Sequence, residues 1–93
     1  MTQNLNDTET VLAERGARYG KFTEHARITQ NIKFAMTRSR RWDMLSSDKR
    51  EALEMIAHKI GRILNGDPEY ADSWIDIAGY ATLVVKELEG NGV

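Results

Sequence analysis

The chain contains no cysteine among its 93 residues. That excludes disulfides and thiolate metal sites and makes a reducing cytoplasm the default compartment. No apolar run is long enough to span a bilayer, and the opening "MTQNLNDTET" lacks the apolar core of a signal peptide, so a soluble intracellular protein is expected. There is no P-loop, no paired-cysteine zinc pattern and no nucleophile beside an evident base. Strands, internal repeats and low-complexity linkers are also missing. The length leaves room for one core, so a single all-α domain over 1–93 is expected, with 1–6 and 90–93 flexible. A domain of this size often draws stability from a partner subunit.

Charge is present in both signs but unevenly placed. The formal net charge is -1, yet ten lysines and arginines lie between Arg15 and Arg50 against Glu24, Asp43 and Asp48. From Ile63 onward six acids face Lys86 alone. A basic front and an acidic back suit a phosphate-bearing ligand, a nucleic acid or self-association of opposite faces. They equally suit mutual neutralisation inside one fold.

Four helices are expected. The first spans roughly Thr8 to Arg15 and stops at Gly16. The loop "GARYGKF" follows, and Thr23 offers an N-cap for the second helix, which sets Ile28, Ile32, Ala35 and Met36 on one side and ends in "TRSRRW". The segment "LSSDKREALEMIAHKIGRILNG" is the clearest helix: Ser46 or Ser47 caps it, and Leu53, Ile56, Ile60, Ile63 and Leu64 form an aliphatic stripe. Gly66 is expected to supply a left-handed stop. The only proline, Pro68, lies in the turn "GDPEY", after which a fourth helix runs from about Ala71 to Glu89. Helices three and four therefore form a long antiparallel hairpin.

On the fourth helix the 100° period groups Trp74, Ile77, Ala78, Ala81, Val84, Val85 and Leu88 as the expected core stripe. Asp72, Asp76, Gly79 and Leu83 fall opposite, flanked by Ile75 and Tyr80. A helix apolar over most of its circumference is usually covered on both sides, so a homodimer or higher homo-oligomer is expected. On the third helix Glu51, Glu54, His58 and Arg62 form a line opposite the aliphatic stripe, with Gly61 beside it. Gly61 and Gly79, both mid-helix, suggest a close approach by a backbone or a ligand. With the turn centred near Pro68, residues at one level sum to about 136, which sets Asp76 beside Lys59 and Arg62. Glu54 is then about 9 Å further along the axis. A Lys59/Arg62/Asp72/Asp76 ion cluster is the simplest expectation, and a shared Mg²⁺ the sharper one.

The stretch "REALEMIAHKIGRILNGDPEYADSWIDIAGYATL", with the upstream "RGARYGKFTEHARI", resembles a family of small phage and prophage proteins marked by Lys-x-x-Arg and then Asp-Ser-Trp-x-Asp-Ile-Ala-Gly-Tyr. The likeness covers roughly residues 14 to 88. More distantly, the hairpin is similar to the all-α nucleoside triphosphate pyrophosphohydrolases, the MazG and dimeric dUTPase-like group, in which Glu-x-x-Glu and Glu-x-x-Asp pairs hold Mg²⁺. That resemblance implies catalytic roles for Glu51, Glu54 and Asp76, with Asp72 as a further metal ligand. The spacing from Asp72 to Asp76 is one residue longer than in that group. Arg15, Arg18, Lys21, Lys59, Arg62 and Tyr80 are the residues expected to meet a phosphate-bearing ligand.

Two functions of different kinds follow as expectations. One is a phage-derived protein that handles a nucleotide, in the host cytoplasm, as a divergent Mg²⁺-dependent pyrophosphohydrolase. The other is a non-enzymatic counter-defence protein that sequesters a nucleotide signal or blocks a host immune complex. A DNA-binding module ranks below both, since the acidic last third would repel a duplex. The plainer reading of Glu51 and Glu54 is a solvated face, and that of His25 and His58 is surface or hydrogen-bonded histidines with no metal spacing. Trp74 is expected in the core and Trp42 as a loop anchor.

Overall fold

The computed structural model describes the backbone of residues 2–90 and the side chains of residues 7–90. Of the ends expected to be flexible, residue 1 and residues 91–93 lie outside that range, whereas the backbone of residues 2–6 belongs to the first helix, which begins ahead of the expected Thr8. Four helices follow in order, α1 (Thr2–Tyr19), α2 (Phe22–Thr37), α3 (Ser47–Asn65) and α4 (Ala71–Leu88), with a 3₁₀ turn at Trp42–Met44. The described residues are all-α as expected, and α3 and α4 pack as a C-terminal hairpin. None of their helices is long and apolar enough to cross a membrane.

The first helix does not stop at Gly16. It continues to Tyr19 and ends at Gly20, whose φ of 77° is the left-handed conformation of a helix stop. Helix α2 then starts earlier than a Thr23 cap would set it. Its N-cap is Lys21, in extended conformation, because the Asn65 side chain pins both neighbouring carbonyls: Nδ2 donates to Tyr19 O at 2.8 Å and to Lys21 O at 2.9 Å. The Asp67 amide donates to Arg18 O at 2.6 Å. The α3–α4 turn is thereby strapped to the α1–α2 loop.

Gly66 serves that strap and not a left-handed stop. Its φ is -134°, and a Cβ there would collide with the Arg18 carbonyl and Tyr19 Cα. Ser46 occupies the N-cap of α3 but makes no side-chain cap bond; its hydroxyl accepts from Lys49 Nζ at 3.2 Å. Trp42 is the anchor of the α2–α3 connection, 8% exposed, and the Arg50 guanidinium holds that segment by donating to Trp42 O and Asp43 O.

The line of α3 that carries His58 and Gly61 faces α2. Buried Ala57 and Gly61 let α2 come close, and Thr29 and His25 fill the space. A Cβ on Gly61 would overlap Thr29 Oγ1 and crowd the His25 ring, which explains a mid-helix glycine that otherwise costs about 1 kcal/mol relative to alanine. Gly79 has no such neighbour: nothing lies within 4 Å of the place its Cβ would take.

Helix α4 is turned from the expected orientation. Ser73 is buried against the rest of the fold, and Asp76, Ile77, Tyr80 and Val84 are half-buried. Trp74, Val85 and Leu88 stand out instead, 54%, 49% and 66% exposed. The reason is polar pairing. Lys59 Nζ meets Asp76 Oδ2 at 2.9 Å, which draws the aspartate side of α4 toward α3. Trp74 Nε1 donates to Pro68 O at 2.9 Å and folds the indole back over its own turn. Large side chains are correspondingly scarce inside: among the described residues the buried apolar ones are Trp42, Ala52 and Ala57.

Two stability outcomes follow. Gly61→Ala is expected to destabilise the fold by about 1–3 kcal/mol in urea denaturation, with part of the loss recovered when Thr29→Ala is added. Asp76→Ala should lower stability by about 1 kcal/mol, because it leaves Lys59, whose side chain is only 12% exposed, without its partner. Glu51→Ala should change little, and equal melting temperatures for these two variants would contradict the pairing.

Candidate functional site

The α1–α2 loop, held down by Asn65, forms one wall of a pocket of about 470 Å³ between α1, the start of α2 and α3. Arg15 and Gly16 come from α1, Lys21, Phe22, Thr23 and His25 from the entry to α2, and His58 and Arg62 from α3. Leu12, Tyr19 and Gly20 complete the lining. Three cations enter this lining and no carboxylate does. The α2 N-terminus also opens here without a side-chain cap, so its first amides carry the helix's positive end.

Aromatic rings fix two of the cations nearby. The Arg62 guanidinium lies 4.2 Å over the Tyr19 ring, and Arg18 lies 4.2 Å over Tyr70. Tyr19 and Tyr70 meet edge to face at 6.1 Å. Arg62, Tyr19, Tyr70 and Arg18 thus form one stack, in which planar guanidinium groups lose little freedom. Arg62 is aimed at the pocket, whereas Arg18 is spent on the outer side. Phe22, 77% exposed, presents a bare ring at the rim.

Behind the cations sits a histidine pair. His25 Nε2 and His58 Nδ1 share a hydrogen bond of 3.3 Å, with ring centroids 4.5 Å apart and nearly perpendicular. Thr29 Oγ1 lies 3.4 Å from His25 Nε2. Burial above all lowers the His58 pKa to about 4, helped by His25 and by the Arg62, Lys59 and Lys33 cations. Burial likewise holds His25 below 6.5; the Gly61 backbone pulls it upward, and the same cations lower it further. Both imidazoles are therefore neutral near pH 7, and the charge of the pocket is that of Arg15, Lys21 and Arg62.

The residues expected to form a metal centre are not gathered. Asp76 is paired to Lys59, and Asp72 accepts from the Tyr70 hydroxyl at 2.8 Å. Glu51 is exposed and lines a separate groove with Asp48, Tyr80 and Glu87. Glu54 is half-buried on α3 and lines neither. Among the described residues no three histidine, aspartate or glutamate side chains are placed to hold a metal ion. The donors present within one chain therefore do not fit a Mg²⁺ centre, which needs several hard oxygen ligands on one point. Of the expected ion cluster, the Lys59–Asp76 pair forms, while Asp72 and Arg62 turn to tyrosines.

Of the expected phosphate-contact residues, Arg15, Lys21 and Arg62 share the pocket, and Arg18, Lys59 and Tyr80 lie elsewhere. The histidine pair was not among the expected site residues. One sequence signal pointed toward it: His58 stands three positions before Gly61, so the face that admits a close neighbour also carries an imidazole.

A family model described as Domain of unknown function (DUF6378) matches residues 5–88. The chain belongs to that family. No curated protein and no solved structure matches it.

The histidines predict a pH dependence. The unfolded chain binds protons near pH 6.5 while the folded His58 binds them only near pH 4, so the unfolded state takes up more protons between those values. Stability should therefore fall as pH drops from about 6.5 toward 4 and change little from this source above 7. Melting temperatures across that range check it, and His58→Gln should flatten the slope.

Proposed function

We propose that this DUF6378 chain binds a phosphate-bearing ligand of nucleotide type in the pocket between α1, α2 and α3. The observation that carries this reading is the convergence of Arg15, Lys21, Arg62 and the uncapped start of α2 on one concavity without a carboxylate. Guanidinium forks and free helix amides are the groups that hold phosphate oxygens. Leu12, Tyr19 and Phe22 supply an apolar wall for the remainder of the molecule, and the volume lies in the range of small-molecule sites. The distant resemblance of the hairpin to nucleoside triphosphate pyrophosphohydrolases supports a nucleotide over a bare anion.

The proposed task is binding without metal-dependent hydrolysis. Affinity alone suffices for a phage-type protein that withdraws a nucleotide from a host signal, and such a role asks nothing of Glu51, Glu54, Asp72 or Asp76. The neutral histidine pair then serves as the floor of the pocket, a hydrogen-bonding surface that adds no charge near pH 7.

A thermal-shift series with nucleoside mono-, di- and triphosphates, cyclic nucleotides and inorganic phosphate tests the proposal. At least one nucleotide is expected to raise the melting temperature. Its affinity should fall at least tenfold in Arg15→Glu, the equivalent of one charge-assisted hydrogen bond of about 1.5 kcal/mol. No shift with any member of the panel would overturn the proposal. Pyrophosphate release that needs Mg²⁺ and vanishes in Glu54→Ala would replace it with hydrolysis.

A further inference from the structure

One nitrogen of the histidine pair is left over by the fold. His58 Nδ1 meets His25 Nε2 at 3.3 Å, and His58 Nε2 has no partner among the described residues. It is not sealed off either. The buried side-chain nitrogen without a hydrogen bond is His25 Nδ1, so His58 Nε2 reaches open space, and the opening that His58 lines is the pocket of Arg15, Lys21 and Arg62. The chain of rings behind it decides what this nitrogen carries. His25 Nδ1 stands at Gly61, 3.1 Å from where a Cβ there would lie, and the Gly61 backbone raises the pKa of the ring. That is the effect of a carbonyl, since an acceptor favours the protonated ring and the Gly61 N–H is committed within α3. A proton on His25 Nδ1 faces this carbonyl, whereas a lone pair would be repelled by it. His25 Nε2 is then the acceptor, His58 Nδ1 the donor, and His58 Nε2 keeps its lone pair.

A lone pair opening onto a cationic pocket is in a nucleophile's position. Burial lowers the His58 pKa to about 4, so the lone pair is free at pH 7. The low basicity matters little for attack on phosphorus, because phosphoryl transfer passes through a loose transition state in which bonding to the attacking atom is slight. Arg15, Lys21 and Arg62 supply the charges that hold phosphoryl oxygens. The lining also restricts the leaving group. Among the described residues it contains no carboxylic acid and no imidazolium, the usual groups that protonate a departing alkoxide. A phosphoanhydride needs no such proton, since a diphosphate leaves as a stable anion near pH 7.

From this we infer that His58 is a nucleophile that accepts the terminal phosphoryl group of a nucleoside triphosphate, an inference that rests on the nucleotide-binding reading of the pocket. Nε2 gives its lone pair to the γ-phosphorus. The P–N bond forms as the bond from that phosphorus to the β–γ bridging oxygen breaks, and the oxygen leaves with the electron pair as nucleoside diphosphate. The positive charge on the imidazole is shared with His25 through the Nδ1 proton. Water then attacks the same phosphorus, the P–N electron pair returns to Nε2, and both water protons leave with inorganic phosphate. His25 touches no phosphate in this scheme; it is a positioning residue that fixes the ring and the tautomer of His58.

Single-turnover mixing of the full chain with γ-labelled nucleoside triphosphates in EDTA, quenched rapidly in base, tests it. A protein-bound phosphoryl group is expected, stable in base, labile in acid and assigned to Nε2 of His58 by phosphorus NMR and peptide mapping. His58→Gln should lose the label and keep the thermal shift that the same triphosphate gives the unaltered chain. His25→Leu should slow labelling by about tenfold or more, and His25→Gln, which keeps an acceptor for the Nδ1 proton, should restore most of it. A triphosphate that raises the melting temperature but leaves no phosphoryl group on the protein would overturn the inference and leave the binding reading intact. No thermal shift with any triphosphate would overturn it as well. A label on Nδ1 or on another residue of the unaltered chain would overturn the assignment to Nε2, and this arm needs no folded variant. Labelling at full rate in a folded His25→Leu would overturn the role of His25.

Discussion

The close approach of α2 to α3 at Gly61 is the constraint on which the rest depends. Without a side chain at Gly61, and with only a methyl at Ala57, the two helices meet through Thr29 and His25, both nearly inaccessible. Contact of this kind gains from close packing of small groups more than from large buried area. Its consequence is directional. Because α2 takes the side of α3 that carries His58, the aliphatic stripe of α3 is covered only in part, with Ile56, Ile60 and Ile63 half-buried and Leu53 and Leu64 exposed. Because His25 comes with α2, two neutral imidazoles end up edge to face behind a cluster of cations.

A second contact works with the first. Asn65, Gly66 and Asp67 hold the backbone of Arg18, Tyr19 and Lys21 through hydrogen bonds and a glycine-only approach. This fixes where α1 ends and α2 begins, and so where Arg15 and Lys21 stand relative to Arg62. The proposed ligand pocket is thus built by a loop-to-turn strap.

Much of this was legible in the sequence. The hairpin, its turn at Pro68 and its register follow from the pattern, and a level sum of about 136 sets Asp76 beside Lys59, where the ion pair forms. Three cations of the pocket, Arg15, Lys21 and Arg62, were also recognisable as phosphate-contact candidates. The orientation of α4 was not, because periodicity groups residues on a face without saying which neighbour covers it. Trp74 has the composition of a core residue and is half exposed, since Asp76 and Lys59 set the rotation and Pro68 takes the indole. The histidine pair was hidden for a different reason: His25 and His58 are 33 positions apart, and only the crossing of α2 over Gly61 brings them together. Gly66 shows the same limit, as its purpose is a contact with Arg18 and Tyr19 that no local pattern records.

The α2–α3 seam can be read directly from its histidines. An NMR titration of the two imidazoles of the full chain is the most direct measurement. The account predicts through-space contact between the rings, with His58 titrating near pH 4 and His25 below its ordinary 6.5. Two independent histidines, both titrating near 6.5 with no contact between them, would contradict it.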